Sequence, residues 1–132
     1  MKESILLTVA SPLSIRFLAI HLADDIVRGI EKGSLLNLTA VPIVVLWLYG
    51  TLVLAKRRSG YVIILLGSIL GAGVPVIHFM REGGVVGGRL ANFAGNFFFV
   101  WTIIAIGATS LFSIVLSVRG LWSLRKGAAA QP

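Results

Sequence analysis

The segment AIHLADDIVRG carries His21, Asp24, Asp25 and Arg28 within eight residues, and VIHFMREGG carries His78 followed four residues later by Glu82. At about 100° of rotation per helical residue, the first four side chains share one helix face, which Ser14 and Phe17 continue. His21 with Asp25 and His78 with Glu82 repeat one spacing, and on a helix residues four apart stand within hydrogen-bonding reach. Imidazole and carboxylate together form a ligand set for zinc, copper, iron or manganese. We therefore expect His21, Asp25, His78 and Glu82 to be metal ligands. Asp24, Arg28, Asn92 and Asn96 are expected to complete or orient a polar ligand site, the two asparagines again lying four apart in ANFAGNFFF.

The spacing leaves the chemistry open. HxxxD and HxxxE are less specific than HExxH, and two histidines on separate helices also suit axial haem ligation or a proton-sensitive pair. A divalent transition metal is the favoured cofactor and haem the lesser one. The competing reading is purely structural: Asp24 or Asp25 pairs with Arg28, and Glu82 with Arg81 or Arg89, where helices leave a bilayer. Pairs of that kind contribute less than about 1 kcal/mol and need no ligand.

Arg16 is the other chemically informative residue. It is turned away from His21 and, at a rise of about 1.5 Å per residue, lies roughly 12 Å deeper than Asp24. An arginine in such surroundings needs carbonyls, an aromatic face or a wet cavity. We count it among the expected ligand-binding residues, as the marker of a polar pathway.

The elements that position these residues follow from composition. Of 132 residues, 57% are apolar and only 13% charged, against roughly a quarter charged in a soluble domain, so the class is an integral membrane protein. Runs at 35–55, 61–80 and 90–118 each reach the roughly 20 apolar residues that a helix needs to cross a bilayer. A weaker first run, interrupted by Arg16, predicts a retained helix over about 5–30 rather than a cleaved signal. The expected fold is an all-α, four-transmembrane-helix bundle, a single domain over 1–132 with a disordered tail at 127–132. Alternation typical of membrane strands is absent.

Charge sets the orientation. Lys2, Lys56, Arg57, Arg58, Arg119, Arg125 and Lys126 fall on one side, opposed only by Glu3. Arg28, Lys32, Arg81 and Arg89 fall on the other, matched by Asp24, Asp25, Glu31 and Glu82. The positive-inside rule then predicts a multi-pass cell-membrane protein with both termini cytoplasmic and both histidines outside. The net charge of +7 lies between apolar runs rather than along an exposed face, which excludes nucleic acid as a partner and leaves the lipid bilayer. With no cysteine, thiolate ligands and nucleophiles are excluded.

Gly67 and Gly71 form a GxxxG motif, which predicts close helix packing inside the bundle or a homo-oligomer. Pro42 and Pro75 each predict a break in the outer half of a helix. Thr102, Thr109, Ser113 and Ser117 read as packing residues. Ser113 and Ser117 lie at the opposite face from the histidines, which disfavours a serine hydrolase. Phe97, Phe98, Phe99 and Trp101, with Tyr61 and Trp122 at the other boundary, read as interfacial anchors. The functional expectation is a binding or accessory membrane subunit whose outer polar cluster holds a cation or polar ligand. The alternatives are a small transporter with a path past Arg16, and a metal- or haem-dependent membrane enzyme.

Overall fold

A computed structural model describes residues 2–29, 34–80 and 96–129. The fold is all-α, with helices α1 (Lys2–Val27), α2 (Ala40–Leu52), α3 (Arg58–Met80) and α4 (Asn96–Ala129), and a 3₁₀ turn at Leu35–Thr39 leading into α2. α1, α3 and α4 are long and apolar enough to cross a membrane, and α2 is a shorter apolar helix. The helices form a ring in which α4 packs along α3 and α1 while α2 packs along α3 and α1 from the other side.

α1 buries one stripe. Leu7, Ala10, Ser11, Ser14, Ile15, His21 and Asp25 are buried and, with half-buried Leu18 between Ser14 and His21, follow the three- and four-residue intervals of a single face. The stripe changes from apolar to ionisable towards the C-terminal end without changing direction. His21 and Asp25 therefore point into the bundle, where the same face lower down holds Leu7 and Ile15. Gly29 then takes a left-handed conformation (φ 70°), the usual way for a helix to stop at a glycine, and the Gly29 N–H donates to Ile26 O at 3.1 Å.

The second apolar run differs from the expected continuous helix over 35–55. Its first five residues are wound as a 3₁₀ turn and only thirteen as α-helix, and the backbone N–H of Ser34 donates to Asn37 Oδ1 at 2.9 Å to open it. A 3₁₀ segment rises about 2.0 Å per residue, so the two pieces together still extend roughly 30 Å. Because α2 starts at Ala40, Pro42 lies in its first turn, where its missing N–H has no intrahelical acceptor to lose. It opens a helix instead of breaking one. Pro75 lies inside α3, and its ring packs beside Gly107 of α4, where a Cβ would come within 2.9 Å of it.

Gly67 and Gly71 face the chain's own interior. A Cβ on Gly67 would meet the Trp47 indole at 2.5 Å, and one on Gly71 would meet Ser110 Oγ, so these glycines are the hollow that Trp47 fills. This is the close packing inside the bundle that the motif predicts. Trp47 is 1% exposed and anchors a cluster with Leu7, Ile15, Ile64 and Leu116. Hydroxyls line the rest of the interior: Ser11 bonds Thr51 Oγ1 at 2.7 Å, Thr51 donates to Trp47 O, and Ser68, Ser110, Ser113 and Ser117 are fully buried. Such small polar residues let membrane helices approach closely, in line with the packing role expected of Ser113 and Ser117.

α4 runs eleven residues past the expected end at 118 and includes three residues of the expected disordered tail. Leu, Arg, Lys and Ala dominate this extension and are strong helix formers, so propensity carries the helix beyond the apolar run.

Candidate metal centre

The two histidine-bearing helices converge. His21 Nε2 and His78 Nε2 are 3.0 Å apart although 57 residues separate them in the chain. Asp25 Oδ2 lies 3.5 Å from His21 Nε2 and 3.8 Å from His78 Nε2. His21 and Asp25 are 3% and 5% exposed, while His78 is half-buried, so the cluster opens on its α3 side. Helical periodicity sets His21 one turn before Asp25, and α3 brings His78 to the same level, one turn beyond Pro75 and just before its end at Met80.

Phe99 of α4 closes the cluster from the third side. It is fully buried, and its ring centroid lies 5.1 Å from that of His21 and 5.4 Å from that of His78. The imidazoles themselves meet edge-on, with an interplanar angle of 87° and centroids 4.9 Å apart. Thr102, one turn further along α4, donates its hydroxyl hydrogen to Phe99 O at 2.8 Å. Its oxygen is thereby an acceptor and stands 3.5 Å from His21 Nδ1, at the outer limit of a hydrogen bond. A proton on Nδ1 leaves the Nε2 lone pair of His21 directed at His78 and Asp25. This is the tautomer that a metal-bound histidine adopts when its other nitrogen donates to an oxygen.

Two imidazole nitrogens 3.0 Å apart repel unless a proton or cation lies between them. The 3.0 Å separation is that of an N–H···N hydrogen bond between the rings, with His78 donating when the His21 proton is on Nδ1, and the three distances also suit a cation in its place. The in-plane point equidistant from the three donor atoms lies about 2.0 Å from each, and a point displaced about 0.6 Å from that plane, as a tetrahedral ion would be, lies about 2.1 Å from each, still the length of a zinc–nitrogen or zinc–oxygen bond. Donors around a tetrahedral ion with such bonds stand roughly 3.3 Å from one another, within the observed range of separations. Axial haem ligation does not suit this geometry, because an iron between two opposed nitrogens holds them about 4 Å apart with a macrocycle in the plane between them.

Asp24 is outside this triangle and forms the neighbouring ion pair. Arg28 Nε donates to Asp24 Oδ2 at 2.7 Å, and the Arg28 guanidinium lies 5.8 Å from the Phe99 ring centroid. The adjacent aspartates thus divide the work, Asp24 holding Arg28 and Asp25 facing the imidazoles. Of the remaining expected site residues, Glu82 and Asn92, with Arg81 and Arg89, lie outside the described residues, and Asn96 begins α4. Arg16 does not join the cluster: it is exposed on the bundle surface. Asn37 is engaged in the cap of its own 3₁₀ turn.

Phe99 and Thr102 are the contributors that residue types alone did not single out, having been read as an interfacial anchor and a packing residue. A signal was present. Phe99 and Thr102 stand three residues apart, so α4 directs both towards one side. Phe97, Phe98 and Trp101, on the other faces of the same turns, are exposed as membrane anchors would be. Comparison of the chain with protein-family models, curated proteins and solved structures finds no match.

Proposed function

We propose that this chain is a small multi-pass membrane protein that binds one divalent transition metal, zinc above others, through His21 Nε2, His78 Nε2 and Asp25 Oδ2. The observation that carries the reading is the donor triangle, whose centre is one metal–ligand bond length from each atom. Burial supports it as well. A carboxylate and two imidazoles removed from water gain most when a cation replaces the lost hydration, and buried charges in proteins are characteristically paired or metal-bound. Thr102 supplies the hydrogen-bond acceptor that orients His21.

Three protein donors leave one tetrahedral position for water, a small anion or a fourth side chain. A site of this form suits a binding or accessory subunit that presents a metal to a ligand. With the basic residues on the cytoplasmic side and both termini inside, the metal would face the exterior.

The test is a titration of chelator-treated protein in detergent with Co²⁺, followed by its visible ligand-field absorption, and with Zn²⁺, followed by elemental analysis. One equivalent per chain is expected for each ion, with the intense absorption of tetrahedral cobalt. His21→Ala combined with His78→Ala should abolish both signals. Equal metal content in that double variant, or no uptake by the wild type, would overturn the proposal.

A further inference from the structure

At the opposite end of the bundle, the start of α3 and the last part of α4 enclose an open groove of about 770 Å³. Val118, Leu121, Trp122 and Arg125 line it from α4 at the spacing of one helical face, with Leu124 beside them, and Arg58 and Val62 line it from α3 one turn apart. The helices are antiparallel, yet both place an arginine towards the bundle end and a valine one or two turns deeper. The groove is therefore cationic at its mouth and apolar below. Close contact between the helices sets its floor, since Tyr61 of α3 packs on Gly120 of α4 where no Cβ would fit. Lys126, outside the lining, stands 4.1 Å from the ring centroid of the lining residue Trp122.

We infer that this groove is a binding site for an anionic phospholipid, whose phosphate lies between Arg58 and Arg125 and whose first acyl segments lie along Val62, Val118 and Leu121. The match is one of charge and of depth. Arginine holds a phosphate through paired N–H donors, and basic pockets between helices at a membrane boundary recognise anionic headgroups in this way. A soluble anion would use the arginines and leave the apolar floor uncovered. A phospholipid covers both parts.

Native mass spectrometry of the full chain in detergent, with phosphatidylglycerol, phosphatidylcholine or inorganic phosphate added, tests the assignment. Phosphatidylglycerol adducts should persist at collision energies that strip phosphatidylcholine, and inorganic phosphate should not compete for them. Arg58→Gln with Arg125→Gln should lower phosphatidylglycerol affinity by about 30-fold, as expected for two cation–phosphate contacts of about 1 kcal/mol each. Lys56→Gln with Arg57→Gln removes the same charge from exposed residues outside the groove and should change affinity less than about threefold. Equal losses in the two double variants would reduce the effect to general surface charge, and displacement by inorganic phosphate would make the site a plain anion site. Either result, or equal retention of the two lipids, overturns the inference.

Discussion

The two ends of the bundle are both rich in ionisable side chains and use them in opposite ways. At the histidine end, His21 and Asp25 are buried, and the ionisable groups make contacts between 2.7 and 3.8 Å. At the other end, Lys56, Arg57, Arg58, Arg119, Arg125 and Lys126 are exposed. The contrast is one of helix phase. His21 and Asp25 occupy the stripe of α1 that faces inward, whereas the basic residues lie in a loop, at the start of α3 or on the terminal turns of α4, where water is at hand. Counting charges does not distinguish a site from a solvated belt; asking which face they occupy does.

That contrast can be broken by four measurements. Replacing both histidines should eliminate metal uptake altogether, the largest effect, whereas removing two basic residues at the other end should leave it intact; metal retention in the former variant would make the ends equivalent. Saturating the wild type with zinc at about 1,000 times its dissociation constant should stabilise it by roughly 4 kcal/mol, seen as a chelator-reversible rise in its denaturation midpoint in detergent. An unchanged midpoint despite bound zinc would mean that the unfolded chain binds the ion equally well. Thr102→Val keeps the volume but removes the acceptor facing His21, and metal affinity should fall about 10- to 100-fold. Wild-type affinity there would show that the contact does not orient the imidazole. Smallest of all, Arg57→Gln should shift stability by no more than about 0.5 kcal/mol, as befits an exposed side chain; a larger loss in a melting experiment would reveal a buried role for that end.

Much of this was legible from the chain. The interval between His21 and Asp25 is a helical one, and apolar runs of membrane length imply that residues at corresponding ends meet at one depth, which brought His78 into the same cluster. What periodicity does not carry is the identity of the neighbour. Phe99 sits among three phenylalanines of similar hydrophobicity, and only packing on α1 and α3 selects it from Phe97 and Phe98. The same limit applies to Arg16, whose angular distance from His21 was readable while its exposure depended on where the other helices lay. Gly67 and Gly71 mark a close approach, but the filling of that hollow by Trp47 depends on how α2 packs against α3. The 3₁₀ turn before α2 also escaped, because local winding changes rise and hydrogen bonding without changing hydrophobicity. At the C-terminus the short tail from 127 was expected to be disordered, whereas α4 continues to Ala129, alanine being the strongest helix former.

Since His21 and His78 belong to helices that are not consecutive, their meeting registers the whole chain's arrangement. A polypeptide with α1 in place but α3 misplaced would hold its imidazoles apart, and only completed assembly brings them together with Asp25. The 3.0 Å approach of the two rings is thus a signature of the finished bundle, since it exists only once α1 and α3 have packed against α4 together.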